Sequence, residues 1–164
     1  MEGGMRLLMK THQNMLYQHI RRMVENHVDT DDILQNVFIK AYRAIDRFEG
    51  KSKLSTWLYR IATNETLTFL KKNKIGSGGI YNEEQIGLLR ADTEVDGNEI
   101  TSLLNKAIKI LPEKQKLVFT MRYYDEMTYD QISKVLNVSV GGLKASFHHA
   151  VKKVEAYVKE NQIT

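Results

Sequence analysis

Apolar residues recur at spacings of three and four along most of the chain, and the alternation typical of β-strands is nearly absent. This spacing places apolar side chains on one face of an α-helix, so the pattern predicts an all-α protein. The pattern lapses between residues 75 and 100, where five glycines are scattered among six acidic residues. We therefore predict two small helical domains, at 1–74 and 101–164, joined by a flexible acidic linker at 75–100.

Three helices are predicted in the first domain. The first is outlined by apolar positions between Met15 and Val24 and is expected to be short, because residues 1–11 carry only a weak pattern. The second begins around Asp29 or Thr30, both residue types that cap helices, and the third begins near Ser55. The apolar residues expected inside the domain include Ile33, Val37, Phe38, Ala41, Leu58, Ile61, Ala62 and Phe69.

The second domain contains a candidate helix-turn-helix. Pro112 is placed at the first position of a helix, where its missing N–H is not needed. Thr128 caps a short helix, residues 137–140 form the turn, and Gly141 or Gly142 opens the last helix. In a helix-turn-helix the second helix enters the major groove and presents its N-terminal residues to the base edges. The last helix is therefore the predicted DNA-reading element.

Charge is distributed unevenly between these segments. Residues 1–74 carry 13 basic and 8 acidic side chains, residues 75–100 carry 1 and 6, and residues 101–164 carry 10 and 6. Protein cations gain affinity for a phosphate backbone because they release its counterions. Two basic blocks on either side of an acidic spacer thus suit two DNA contacts, although solvated helix faces would also account for the charge.

Several classes of protein are disfavoured by what the sequence lacks. Cysteine is absent, which excludes disulfides and thiolate metal sites and fits a reducing cytoplasm. No apolar run approaches the roughly 20 residues that a membrane-spanning helix needs, and no signal-peptide segment begins the chain. No phosphate-binding glycine loop, His-Glu-x-x-His motif or nucleophile elbow is present. We expect a cytoplasmic protein that is not an enzyme, with no cofactor, no metal and no membrane insertion.

Four motifs carry a resemblance to one family. Residues 32–38 (Asp-Ile-Leu-Gln-Asn-Val-Phe) and 55–64 (Ser-Thr-Trp-Leu-Tyr-Arg-Ile-Ala-Thr-Asn) resemble region 2 of the extracytoplasmic-function (ECF) sigma factors of bacterial RNA polymerase, members of the sigma-70 family. Residues 111–115 and 141–150 resemble region 4. The resemblance covers nearly all of the chain outside 75–100. It implies an alternative sigma factor that binds core RNA polymerase and directs promoter-specific transcription initiation.

The resemblance also implies which residues touch each partner. Contacts with the β′ clamp helices of core RNA polymerase are expected from Asp31, Asp32, Gln35 and Asn36. Contacts with the minus-10 DNA are expected from Lys51, Ser52, Lys53, Ser55, Thr56, Trp57, Arg60, Thr63 and Asn64. Contacts with the minus-35 DNA are expected from Gly142, Lys144, Ala145, Ser146, His148, His149 and Lys152. The polymerase β flap and an anti-sigma factor are the other partners that the family implies.

The residue types in the minus-10 set suit a melted strand. Base stacking on an aromatic platform returns roughly 1–3 kcal/mol per unstacked base, which Trp57 could supply, although a lone tryptophan is more commonly a core residue. Five residues are predicted to share one face of the third helix, where they would follow the phosphates and read a base edge through Asn64: Thr56, Arg60, Thr63, Asn64 and Lys71.

The sequence also fits two rival functions. The first is a helix-turn-helix transcriptional regulator that binds duplex DNA without polymerase, which would have no need of Trp57 or of the loop at 50–55. The second is a helical nuclease that uses the acids at 29–32 with a divalent metal. Capping of a helix explains the same acids.

Overall fold

The computed structural model describes residues 2–24, 26–76 and 99–162, and its regular elements in these ranges are all helical. The helices are α1 (Glu2–Val24), α2 (His27–Ala44), α3 (Leu54–Gly76), α4 (Glu99–Lys109), α5 (Glu113–Tyr123), α6 (Tyr129–Leu136) and α7 (Val140–Asn161), with a 3-10 turn at Ile45–Arg47. The chain divides into two compact units, with α1 to α3 in the first and α4, α5 and α7 in the second. The predicted all-α fold with two helical domains is confirmed.

The predicted linker is only partly described. Its ends are helical, because α3 runs through Gly76 and α4 begins at Glu99. Residues 77–98 lie outside the described residues. Among the helices that are described, none combines the length and the apolar character needed to cross a membrane.

In the first unit each helix packs against the other two. The second helix buries Ile33, Val37 and Ala41, which recur every four residues and therefore form one stripe along it, as predicted. Leu16 and Ile20 of α1, together with Leu58 and Ala62 of α3, complete a core whose members are almost fully excluded from solvent.

Two helix starts in this unit differ from the prediction. The helix α1 is not short: it begins at Glu2, and its first three turns are mostly exposed, so their sequence carries no burial pattern. The helix α2 begins at His27, and its cap is Asn26, whose Oδ1 accepts hydrogen bonds from the backbone N–H of Val28 (2.9 Å) and Asp29 (3.2 Å). Thr30, predicted as a cap, is instead buried in the first turn.

The second unit has its own core, formed by Ala107, Ile108, Leu111, Phe119, Ala150 and Val154. Thr128 caps α6 as predicted: its hydroxyl accepts a hydrogen bond from the N–H of Gln131 (3.1 Å), and the Gln131 side chain accepts one from the N–H of Thr128 (3.0 Å). The last helix begins at Val140, one or two residues earlier than predicted, because Ser139 caps it. Pro112 lies just before α5 and is not its first residue.

Two residues other than glycine adopt a left-handed backbone conformation next to the helix-turn-helix. Asn137, at φ 55°, ends α6, and its N–H donates to the carbonyl of Ser133, so that the chain can turn into α7. Asparagine tolerates this conformation because its short polar side chain bonds locally. Glu126, at φ 53° in the loop before α6, has no such advantage.

Replacing Glu126 by glycine is expected to raise the free energy of unfolding by about 0.5–1 kcal/mol, because removing Cβ relieves the left-handed conformation by more than the added chain entropy costs. Denaturant unfolding would measure the change. The matched control is Glu155→Gly, on an exposed turn of α7, which should lower stability by about 1 kcal/mol. A loss of stability in both variants would contradict the assignment of strain to position 126.

Candidate polymerase and promoter interface

The four residues predicted to bind core polymerase form an exposed strip on α2. Asp31, Asp32, Gln35 and Asn36 are all exposed, and the same side of the helix carries three exposed apolar side chains. These are Val28 (66% exposed), Ile39 (43%) and Tyr42 (54%). Apolar side chains beside acids let a partner helix bury surface while its basic groups pair with the carboxylates.

The apolar members of the strip were missed by the sequence reasoning. Val28 and Gln35, and likewise Gln35 and Tyr42, are seven residues apart, so they lie on one side of the helix. This spacing could have identified them, since the buried stripe through Val37 lies elsewhere on α2. We refer to Val28, Asp31, Asp32, Gln35, Asn36, Ile39 and Tyr42 as the α2 strip.

The loop before α3 presents charged and polar groups. Gly50 takes a positive φ of 73°, which lets the chain turn sharply there. Lys51 and Lys53 are exposed, and the Lys51 ammonium lies 2.8 Å from the Glu49 carboxylate. The paired side chains are 85% and 66% exposed, so this ion pair is weak and a phosphate could replace Glu49.

Trp57 is half-buried at the start of α3. Its ring centroid lies 5.2 Å from that of Phe48, at an interplanar angle of 45°, so one part of the indole packs inside while the rest reaches the surface. Two serines of the minus-10 set, Ser52 and Ser55, closely precede Trp57 in the sequence and are also half-buried. Trp57 is therefore both a packing residue and a surface aromatic group.

The predicted common face of α3 is wrong for two of its residues. Arg60 and Asn64 are exposed, one turn apart, but Thr56 is only 4% exposed and Thr63 is fully buried. The physical reason is that α3 packs against both α1 and α2, so its buried side is wide and includes threonines. The Thr63 hydroxyl is satisfied inside the protein, where it lies 2.8 Å from Nε2 of the buried His19.

Thr63→Val is expected to lower the free energy of unfolding by about 1–3 kcal/mol, because valine keeps the shape of threonine but removes the bond to His19. Thermal unfolding would measure it. The matched control is Thr68→Val on the exposed side of α3, where the hydroxyl donates to the carbonyl of Asn64 at the surface and the change should stay under about 0.5 kcal/mol. Unchanged stability in Thr63→Val, with a loss of DNA binding, would contradict the buried role.

The minus-35 set lies along the outer face of α7. Among its members, the exposed residues are Lys144, Ala145, His148, His149 and Lys152. Gly142 and Ser146 are half-buried and lie about 160–200° around the helix from Lys144. The N–H of Gly142 donates to the capping hydroxyl of Ser139 (3.1 Å), and the first turn of α7 contains no acid. This helix start is therefore free of the negative charge that would repel a phosphate.

A cation and an aromatic ring behind Lys144 were also missed by the sequence reasoning. The Arg122 guanidinium lies 4.5 Å from the centre of the Tyr129 ring and donates a hydrogen bond to the carbonyl of Met127 (2.8 Å). The Lys144 ammonium lies 5.9 Å from the same ring, so Tyr129 contacts two cations. Arg122 thereby ties the end of α5 to the start of the helix-turn-helix.

These features define a helical DNA-binding protein that has a capped helix-turn-helix formed by α6 and α7, and an acidic strip and a separate basic surface on α2 and α3. Among the residues that the structure describes, no group of three or more His, Cys, Asp or Glu side chains is placed to hold a metal ion.

Comparisons with known proteins identify the class more narrowly. Residues 8–75 match the family Sigma-70 region 2, and residues 102–154 match the family Sigma-70, region 4. The ECF RNA polymerase sigma factor SigW of Bacillus subtilis is 33% identical over 161 residues, covering 91% of this chain and 86% of SigW. The ECF RNA polymerase sigma-E factor of Escherichia coli K12 is 29% identical over 158 residues, covering 87% and 83%.

Two solved structures share the fold. The sigma factor RpoE of Bartonella quintana, crystallised with the anti-sigma factor NepR, superposes with a TM-score of 0.77 at 18% identity and covers 95% of this chain and 97% of that one. CnrH, solved in complex with the cytosolic domain of CnrY, gives 0.73 at 19% identity and covers 98% and 91%.

The chain belongs to the ECF RNA polymerase sigma factors. It is an alternative sigma factor that binds core RNA polymerase and directs promoter-specific transcription initiation. A helix-turn-helix regulator that acts on duplex DNA without polymerase is not favoured.

Proposed function

We propose that the two units divide promoter recognition between them. Residues 1–74 act as sigma region 2, which binds core polymerase and recognises and melts the minus-10 element. Residues 101–164 act as sigma region 4, which binds the minus-35 element, and residues 75–100 connect them. The observation that carries this proposal is the separation of surfaces: an acidic and apolar strip on α2, a basic surface at α3, and a basic outer face on α7.

The α2 strip is proposed to bind the paired β′ clamp helices. Asp31 and Asp32 would pair with basic groups of the polymerase, while Val28, Ile39 and Tyr42 would become buried against its apolar surface. Burial of exposed apolar side chains contributes about 25 cal/mol per Å² of apolar surface, so these three residues would add to the affinity. The acids would add charge-assisted contacts and set orientation and specificity.

The surface at α3 is proposed to capture the melted minus-10 strand. Lys51, Lys53 and Arg60 would contact phosphates, and Asn64 would read a base edge. The exposed part of Trp57 would stack against a base at the melted junction. Thr56 and Thr63 would act by holding α3 in the core, not by touching DNA.

The outer face of α7 is proposed to lie in the major groove of the minus-35 element. Lys144 and Lys152 would bind phosphate or guanine, and the imidazoles of His148 and His149 would hydrogen-bond bases. Exposed apolar residues elsewhere in this unit, Tyr123 among them (54% exposed), offer a surface for the polymerase β flap.

Further properties are proposed from the family. The chain acts without catalysing a reaction of its own, and it works in the cytoplasm, where its polymerase is found. An anti-sigma factor is proposed as a regulatory partner. RpoE, a sigma factor of the same fold, was crystallised with one.

A reconstituted transcription reaction tests the proposal. The purified chain is added to core polymerase with a promoter selected by the resulting holoenzyme, and initiation from that promoter is expected only when both proteins are present. Tight duplex binding by the chain alone, with no affinity for core polymerase, would overturn the proposal.

A further inference from the structure

A hydrogen-bonded chain of three side chains joins α1 to the α2 strip. The hydroxyl of Tyr17, on α1, is hydrogen-bonded to Nδ1 of His27, the first residue of α2. On the other side of the imidazole, Nε2 lies 3.2 Å from Oδ2 of Asp31, one helical turn further along α2. The rings of Tyr17 and His27 also meet edge to face, with their centroids 5.7 Å apart. His27 is thus held on one side while it holds Asp31 on the other.

The chemistry of the partners fixes the direction of these bonds for a neutral imidazole. The Asp31 carboxylate can only accept, so Nε2 carries the proton and donates to it. Nδ1 then has no proton and accepts from the Tyr17 hydroxyl. Both imidazole nitrogens then have a partner, and a neutral imidazole adds no charge of its own beside the Asp31 carboxylate.

This arrangement leaves Asp31 able to bind a partner. The Asp31 side chain is 55% exposed, and a carboxylate offers about four acceptor positions, of which His27 takes one. An aspartate that is free to rotate loses side-chain entropy when a partner captures it. An aspartate already held in place loses less, so a neutral anchor next to a binding carboxylate raises affinity for a cationic partner.

We propose that His27 is a positioning residue for core polymerase binding: anchored to Tyr17, it holds the Asp31 carboxylate in the α2 strip in the orientation that a basic group of the polymerase meets. This inference rests on the proposed role of the strip. His27 itself need not touch the polymerase, and nothing in the four motifs of the sequence singles it out.

The test measures the dissociation constant of the full-length chain for core polymerase in a set of variants. His27→Ala is expected to weaken binding roughly 2- to 10-fold, the range expected when one side chain must be immobilised on binding. Tyr17→Phe, which keeps the ring but removes the hydroxyl that anchors His27, should give a smaller loss in the same direction. His27→Gln can accept from Tyr17 and donate to Asp31, so it should bind within about 2-fold of the parent chain.

A double substitution separates positioning from structure. In the Asp31→Ala background, His27→Ala should change affinity no further, because the group that it positions is gone. Thermal unfolding should be nearly unchanged in all variants, since the side chains of His27 and Asp31 are 68% and 55% exposed.

The outcomes separate a failure of the positioning role of His27 from a failure of the polymerase-binding role proposed for the α2 strip. If Asp31→Ala weakens binding and His27→Ala does not, or if His27→Gln is as weak as His27→Ala, the positioning role is overturned and the α2 strip stands. If Asp31→Ala leaves the affinity unchanged, both the role of this acid in the strip and the positioning role fall.

Discussion

Reversing the charge of Lys144 (Lys144→Glu) is expected to weaken binding of the holoenzyme to a minus-35 duplex by roughly 10- to 100-fold. A good contact with a base or phosphate is worth about 1–3 kcal/mol, and a carboxylate at this position would add repulsion from the DNA backbone. Lys144 is exposed near the start of α7, where the first turn contains no acid to offset its charge. Fluorescence anisotropy with a labelled minus-35 duplex, measured at two salt concentrations, would give the affinity and the change in its salt dependence.

Lys153→Glu is the matched control for this prediction. Lys153 lies on the same helix, is also exposed, and undergoes the same change of net charge. Nine residues separate the two positions, which places them about 180° apart around α7, so Lys153 lies opposite Lys144, at the edge of the outer face one turn beyond His149. Its substitution should alter affinity by no more than about 2- to 3-fold. An equal loss in both variants would show that net charge is responsible and would contradict a contact at Lys144.

Much of the fold could be predicted because a helix that buries one face repeats apolar residues every three or four positions. The stripe of Ile33, Val37 and Ala41 in α2, and Leu58 and Ala62 in α3, are buried where the apolar spacing placed them. The first turns of α1 show no such periodicity of apolar residues. These turns are mostly exposed to solvent, so their sequence does not need apolar residues on one side of the helix.

The candidate site was predictable where a helix exposes a wide polar surface. Lys144 and His148 lie on the outside of α7 as expected, since its core contacts are made by large apolar residues such as Leu143. The minus-10 face was less predictable because polarity is an unreliable guide to exposure for threonine. The hydroxyl of Thr66 bonds to the carbonyl of Ala62, four residues earlier, so a threonine can be buried without losing its hydrogen bond.

Side-chain contacts between different helices could not be predicted at all. The bond between His19 and Thr63 joins residues 44 positions apart, and the stacking of Arg122 on Tyr129 depends on how α5 meets α6. No local pattern encodes either contact. Both contacts depend on the three-dimensional arrangement of the helices, and both lie next to residues proposed to act on DNA.

Trp57→Ala is expected to reduce formation of the open complex on a duplex promoter by roughly 5- to 100-fold. The reason is that stacking one unstacked base on an aromatic group returns about 1–3 kcal/mol, and the variant has no ring to supply it. Open complexes would be measured by permanganate reactivity of unpaired thymines. On a promoter already opened by mismatches across the minus-10 element, the variant should recover to within a few-fold of the parent chain, because little melting remains to be driven.

Phe48→Ala separates the stacking role of the indole from its packing role. Phe48 lies against Trp57 with ring centroids 5.2 Å apart, so its removal weakens the packing but leaves the indole in place. If Trp57 acts on the DNA, Phe48→Ala should cause a smaller defect on duplex promoters than Trp57→Ala does. If the two variants are equally defective, and if neither recovers on the opened promoter, Trp57 contributes to folding or to polymerase binding and has no direct part in melting.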